Sequence, residues 1–301
     1  MTSLQIWVKG ARPKTLTAAI APVLVGSSIA YSEKSFNLLI AFLALTVSIS
    51  IQIAVNYAND YSDGIKGTDN KRVGPIRLVG QNLASAKSVR NASFIFFFIA
   101  AVAGLVITIS TKQWWFLLLG FSAIISAWTY TGGPKPYGYA GFGEVFVFIY
   151  FGLVAVLGTI YAQTLSLKPY FYIYAISIGC FAAAILVANN LRDREKDQQS
   201  NKMTLAVKLG DTKTRYLFVI LMLLPFIFGL LLLVTRDLGD SQNLNFGGLL
   251  SFLALPLAIN TIRPVLQKVS GKDLIQTLVN TGKTEFIWAV MICLGIIFQT
   301  N

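Results

Sequence analysis

Histidine is absent from all 301 residues, and cysteine occurs only twice, at Cys180 and Cys293. The first absence removes His-based catalytic triads, HExxH zinc sites and haem ligation through imidazole. The second leaves two lone thiols inside apolar stretches, which read as small packing residues rather than a disulfide or a metal pair. Charge is scarce as well. Asp, Glu, Lys and Arg make up 13% of the chain, against roughly 25% in a water-soluble protein. No soluble segment and no long Pro- or Gly-rich linker divides the sequence, so residues 1–301 read as one integral-membrane domain.

What fills the chain instead is apolar. The hydrophobic share is 55% and the mean hydropathy is +0.64, in repeated runs long enough to cross a bilayer as helices, which takes ~20 residues each. The fold class is therefore all-α and polytopic. Nine spans are predicted, at 15–31, 36–58, 91–110, 114–130, 143–163, 170–189, 215–235, 246–266 and 284–300. With the N-terminus placed in the cytoplasm, the loops on that side hold 21 of the 25 cations. Only Lys34, Lys112, Lys168 and Arg236 fall outside. This asymmetry orients a cell-membrane protein with its C-terminus outside. The net charge of +12 thus reports topology and an anionic lipid or substrate. No aromatic-interleaved basic patch points to nucleic acid.

The few acids are not scattered. Span 2 runs into "NYANDYSDGIKGTDNKRVGPIR" from Asn56 to Arg77, and span 6 into "NNLRDREKD" from Asn189 to Asp197. Asp60 and Asp193 are separated by four spans, which returns both motifs to the same side and suggests two quasi-repeated four-helix units followed by one further helix. If each span continues as helix for another turn, the i,i+3 and i,i+4 spacings put amide and carboxylate oxygens on one face. Close carboxylates repel unless a cation lies between them. Mg²⁺ takes oxygen ligands, uses one or two carboxylates and completes its shell with water and phosphate oxygens. Basic residues follow each acidic face: Lys66, Lys71, Arg72 and Arg77 in one loop, Arg194, Lys196 and Lys202 in the other. That order suits a metal-bound diphosphate. One such motif alone reads as a solvated helix end; two at matching places argue for a site. "YTGGPKPYGYAGFGE", from Tyr130 to Glu144, is either a plain turn or a lid facing substrate.

The segments "NDYSD", "NNLRDREKD" and "NKMTLAVKLG" resemble the UbiA-type intramembrane prenyltransferases over nearly the whole chain. Within that family, "NYANDYSDGIKGTD", "GPIRLV" and "YTGGPKPYGYAGFGE" look like the branch whose acceptor is 1,4-dihydroxy-2-naphthoate in menaquinone synthesis. The family's N-D-x-x-D-x-x-x-D pattern falls on Asn59, Asp60, Asp63 and then Gly67, with Asp69 two residues beyond. The resemblance implies a helical ring around a cavity open sideways to lipid. It implies Asn59, Asp63, Asp193 and Asp197 as ligands of two Mg²⁺, bridged by the diphosphate of a polyprenyl donor, with Asp60 assisting these acids in catalysis. Lys66, Arg72, Lys135 and Lys202 would hold diphosphate oxygens. Arg192, which on a helix points about 100° from Asp193, would orient the acceptor carboxylate alongside Asn189 and Tyr130. Another aromatic or tetrapyrrole acceptor would need the same metal site. A secondary transporter with duplicated halves is the reading from another class, although its ion ligands belong near the bilayer midplane rather than at span ends.

Overall fold

The computed structural model describes residues 3–67, 76–234 and 246–300, and among them there is no strand. The reason is the one that composition suggests: in hydrocarbon a segment must satisfy its own backbone, and a helix does so without a neighbour. The helices are α1 (Ser3–Gly10), α2 (Thr17–Ser32), α3 (Leu38–Ile65), α4 (Ala86–Thr111) and α5 (Trp115–Thr129). Then come α6 (Gly143–Thr164), α7 (Phe171–Gln199), α8 (Leu205–Val234), α9 (Phe246–Leu266) and α10 (Leu274–Thr300). Side-chain caps start two of them. Asn37 Oδ1 accepts from the Ile40 amide and Ser85 Oγ from the Ser88 amide, each at 3.1 Å, supplying acceptors to first-turn amides.

Seven described helices are long and apolar enough to cross a membrane, and the pair α1 and α2, bent by 52°, makes an eighth when taken as one span. The remaining predicted span, 114–130, corresponds to α5. At 15 residues it extends only about 22 Å, short of a bilayer core of ~30 Å. The ends of α3 and α7 also differ from prediction. Both continue well past the expected limits of 58 and 189, to Ile65 and Gln199, so each acid motif lies on a helix.

The helices pack as neighbours in sequence, α3 with α4 and α7 with α8, and α10 then closes the circuit against α2. The main core lies between α2 and α6 through α10. There Trp288 and Phe226 each meet Phe181 edge-on, at 5.8 and 6.1 Å between ring centres. On the other side of α2 and α7 a cavity opens, lined almost wholly by α2 to α7 and the segments joining them. The middle of α6, Phe148–Val154, is a π-helical turn. It brings Tyr150, Phe151, Val154 and Ala155 all to the cavity wall, a sequence of positions that regular α-helical spacing presents less compactly.

Opposite that wall α6 lies directly on α7. A Cβ placed on Gly152 would collide with the backbone of Gly179, and one on Gly179 with the ring of Phe148. Small residues at helix crossings allow this closeness in membranes, where packing replaces the hydrophobic effect between helices. Gly152→Leu is therefore expected to force α6 off α7 and to cost about 1–3 kcal/mol. Thermal unfolding in detergent should show the loss, and an unchanged midpoint would refute the crossing described here.

Candidate active site at the ends of two long helices

The last turns of α3 carry Asn56, Asn59, Asp60 and Asp63, all buried. Each has a different partner. The Asn56 side-chain amide donates to the Ala11 carbonyl at 2.9 Å and to Thr15 Oγ1 at 3.2 Å, which fixes the segment entering α2. Asn59 Oδ1 accepts from the Thr131 hydroxyl at 2.8 Å. Asp60 has no exposed surface, and its oxygens accept the amides of Leu78 at 2.8 Å and Val79 at 3.1 Å. It does not line the cavity. Its task is to hold the returning chain against α3, and that chain carries Arg77. The Arg77 guanidinium consequently stands 3.9 Å from Asp63 Oδ2, with both side chains buried.

Asp63 Oδ1 accepts a 2.6 Å hydrogen bond from Tyr139. The ring of Tyr139 has two ammonium groups against it, Lys66 Nζ and Lys202 Nζ, each 4.9 Å from its centre, within the range of cation–π attraction. Lys66 also donates to the carbonyls of Thr131 at 2.7 Å and Gly133 at 3.3 Å, and Lys208 donates to Ala140 at 2.6 Å. Partial burial lowers the Lys66 ammonium from its ordinary pKa; Asp63 opposes the shift and Lys202 adds to it. The turn between α5 and α6 is thus tied to α3 on one side and to the start of α8 on the other. Tyr139, which the sequence patterns did not single out within "YTGGPKPYGYAGFGE", stands between the two acid motifs.

The second motif is organised differently from expectation. Arg192 does not turn away from Asp193. Its long side chain folds back, Nε to Oδ1 at 2.8 Å and Nη2 to Oδ2 at 2.6 Å, while Nη2 also donates to Asn189 Oδ1 at 2.8 Å. A carboxylate at this depth needs a countercharge, and the nearest guanidinium supplies it. The fork expected to orient an acceptor carboxylate is engaged by Asp193. None of Arg192, Asp193 and Asp197 lines the cavity. Asp197 Oδ1 is 3.9 Å from Lys202 Nζ, and the Lys202 amide donates to the Asp197 carbonyl at 2.8 Å. Asn190 donates to Glu144 Oε1 at 2.9 Å, fixing the start of α6 to α7.

Asn59, Asp63, Arg77, Lys202, Asn189 and Tyr130 all line one cavity of about 330 Å³. Arg12 joins them from the segment before α2. Of the remaining expected site residues, Lys66, at the end of α3, reaches the turn between α5 and α6 without lining the cavity, Lys135 is exposed on that turn, and Arg72 and Asp69 lie outside the described residues. Beyond the charged end the wall carries a row of rings. Tyr137 stacks on Phe146 at 4.1 Å, meets Tyr130 edge-on at 5.6 Å, and Phe146 continues to Tyr150 at 6.3 Å. Desolvation raises the Tyr137 phenol above its usual pKa, keeping that ring neutral.

Among the described residues no three acids, cysteines or histidines gather as a preformed metal cage. The donors nonetheless fit Mg²⁺ carried in with a phosphorylated ligand, because that ion asks the protein for only one or two carboxylates. Asp63, on the cavity wall, offers one, and Asp197, 3.9 Å from the wall residue Lys202, offers one from the second motif.

Residues 19–270 match the model of the UbiA prenyltransferase family, and the chain belongs to that family. It is 44% identical over 292 residues to the 1,4-dihydroxy-2-naphthoate octaprenyltransferase of Mycobacterium leprae, covering 97% of this chain and 96% of the relative. The enzyme of the same name from Mycobacterium tuberculosis is 42% identical over 99% of both chains, and that from Escherichia coli 34% identical over 97% and 95%. Among solved structures, a UbiA homolog from Archaeoglobus fulgidus bound to DMAPP and Mg²⁺ shares the fold, with a TM-score of 0.69 at 13% identity over 97% of this chain and 99% of that one.

Asp60→Ala would leave the buried amides of Leu78 and Val79 without their acceptor. The expected cost is about 1–3 kcal/mol for each amide left unsatisfied, seen as a lower unfolding midpoint in detergent. Asp60→Asn, which keeps one acceptor oxygen, should lose less. Equal midpoints for both variants and the parent would remove Asp60 from the role of clamp.

Proposed function

We propose that this protein transfers a polyprenyl group from an isoprenoid diphosphate to 1,4-dihydroxy-2-naphthoate, releasing diphosphate and carbon dioxide, in the synthesis of menaquinone. The observation that carries this reading is the meeting of Asn59, Asp63, Arg77 and Lys202 at one end of an apolar cavity, in a chain 42–44% identical to octaprenyltransferases of that acceptor. The solved relatives described with DMAPP or GPP and Mg²⁺ support a metal-bound allylic diphosphate as the donor.

Asn59, Asp63 and Asp197 are the side chains proposed to hold Mg²⁺, and the acids on both sides of Tyr139 favour two ions. Asp193, held by Arg192, would be a further ligand. Bound Mg²⁺ neutralises charge on the diphosphate as it departs. The protein's own part is to bring Arg77, Lys66 and Lys202 to the same oxygens, where developing charge is stabilised more than the ground state. Arg72 and the exposed Lys135 extend that basic rim. As the allylic C–O bond breaks, its electron pair leaves on the diphosphate. The ring row from Tyr130 to Tyr150 presents π-faces to the allylic cation and excludes water from it. The acceptor ring then bonds to the allylic carbon, and the C–C bond to its carboxylate breaks to restore aromaticity with loss of carbon dioxide. No ring proton has to be removed, which accords with the lack of histidine. Arg12, on the cavity wall beside Asn56, is a better-placed partner for the acceptor carboxylate than Arg192, with Asn189 and Tyr130 lining the approach.

In the membrane, the bent pair α1 and α2 is one span and the short α5, together with the residues that flank it, another, for nine in all. The N-terminus and both acid motifs are cytoplasmic and the C-terminus external, as the cation asymmetry favours. The placing of the motifs on α3 and α7, each followed by an intimately packed partner helix, supports two four-helix units with α10 added. Cysteines introduced at Gln199 and Lys168 should be labelled from opposite faces of the membrane; labelling from the same face would overturn this topology.

The enzymatic reading is tested with purified protein, one polyprenyl diphosphate and several aromatic acceptors. Release of diphosphate and carbon dioxide is expected with 1,4-dihydroxy-2-naphthoate and not with 4-hydroxybenzoate. Asp63→Asn and Asp197→Asn should each lower kcat by about a hundredfold or more, and chelation should abolish turnover. Full activity in EDTA would sink the metal assignment, and equal use of both acceptors would sink the acceptor.

A further inference from the structure

Three glycines on the cavity wall have no packing reason to be glycine. Gly104 on α4, Gly120 on α5 and Gly158 on α6 all line the cavity, and a Cβ built on any of them meets no atom within 4 Å. Glycine inside a helix costs about 0.5–1 kcal/mol relative to alanine. In membrane helices the usual compensation is close approach of a neighbouring helix, as at Gly152 and Gly179 here. At these three positions the missing side chain leaves open space; Gly104 and Gly158 are half-buried, and Gly120 is exposed where the wall opens.

They also sit alike on their helices, Gly104 seven residues before the end of α4, Gly120 five after the start of α5 and Gly158 six before the end of α6. Gly120 lies ten residues before Tyr130 on α5, or about 15 Å of helix from the charged end. Gly158 lies twelve residues beyond Phe146, about 18 Å. The cavity continues to Ala44 on α3, nineteen residues from Asp63 and about 28 Å away. Around the three glycines the wall is Ile107, Phe116, Ala162 and Val23, without a charged group. A ligand fixed by its anionic head at Asp63, Arg77 and Lys202 would bring only the distal part of a long apolar tail to this depth.

We propose that Gly104, Gly120 and Gly158 set the length of isoprenoid chain the cavity accepts, by keeping its far end open for the distal units of a long donor. The proposal rests on the prenyl-transfer reading. Each glycine is a specificity-determining position. A leucine there fills the space that distal units need and leaves the charged end and the first units untouched.

The test compares octaprenyl diphosphate with geranyl diphosphate as donors for Gly104→Leu, Gly120→Leu and Gly158→Leu, singly and in pairs. The ratio of kcat/KM for the long donor to that for the short one should fall about tenfold or more. The matching alanine variants, which add one carbon, should shift it in the same direction by less. If a leucine variant unfolds at a lower temperature, the alanine series carries the comparison. An unchanged ratio across the series would overturn the proposal, because the tail would then run elsewhere. A rise in the ratio would overturn it as well. Absence of transfer from either donor in the parent protein would instead refute the reading on which it stands.

Discussion

A carboxylate at the end of an apolar helix is stable only when something answers its charge, and the arrangement of this protein's charged end follows from that constraint. Four aspartates meet it in four ways. Asp60 takes two backbone amides, Asp63 a phenol and a guanidinium, Asp193 the fork of its own neighbour, and Asp197 an ammonium. Each solution ties a different segment into place. The amides on Asp60 position Arg77. The phenol on Asp63 holds the turn between α5 and α6 over the end of α3, and Lys202, against the ring of that phenol, links it to the second motif. Charge pairing therefore builds the site as well as neutralising it.

The cavity carries a gradient of chemistry from this charged end. Cations and acids come first, then the rings of Tyr130, Tyr137, Phe146 and Tyr150, and finally small and aliphatic side chains. A molecule with an anionic head, a reactive allylic carbon and an apolar tail matches that order along its length, and this match is the physical content of the proposed activity. The same order explains why most of the proposed catalytic stabilisation comes from electrostatics and shielding rather than from proton transfer.

Much of this was legible in the chain. The apolar runs gave the helices, and α3 does continue to Ile65, so the motif Asn56–Asp63 is helical; of its members Asn56, Asn59 and Asp63 line the cavity and Asp60 does not. Individual side-chain commitments were less accessible. Arg192 and Asp193 are adjacent in sequence, and helical geometry separates adjacent positions; a long flexible side chain overcame that separation to satisfy a buried acid. Asp60 looks like any other acid of its motif until the chain returns with Leu78 and Val79. Tyr139 gave no sequence signal of its own, because its importance comes from three distant residues, Asp63, Lys66 and Lys202, meeting around one ring. Spacing reports what a helix places together, whereas these contacts depend on how loops cross it.

The π-helical turn at Phe148–Val154 makes α6 a register-sensitive element. A π turn accommodates one residue more than an α turn over the same rise, so everything after it is rotated by about 100° from where an uninterrupted α-helix would set it. Gly158 and Thr159 lie beyond the turn and line the cavity, while Gly152 within it lies against Gly179. Removal of a single residue from the turn would therefore exchange faces over the remainder of α6, sending wall residues toward neighbouring helices and packing residues toward the cavity. For this helix, chain length between Gly143 and Thr164 is as strong a constraint as the identity of any residue in it.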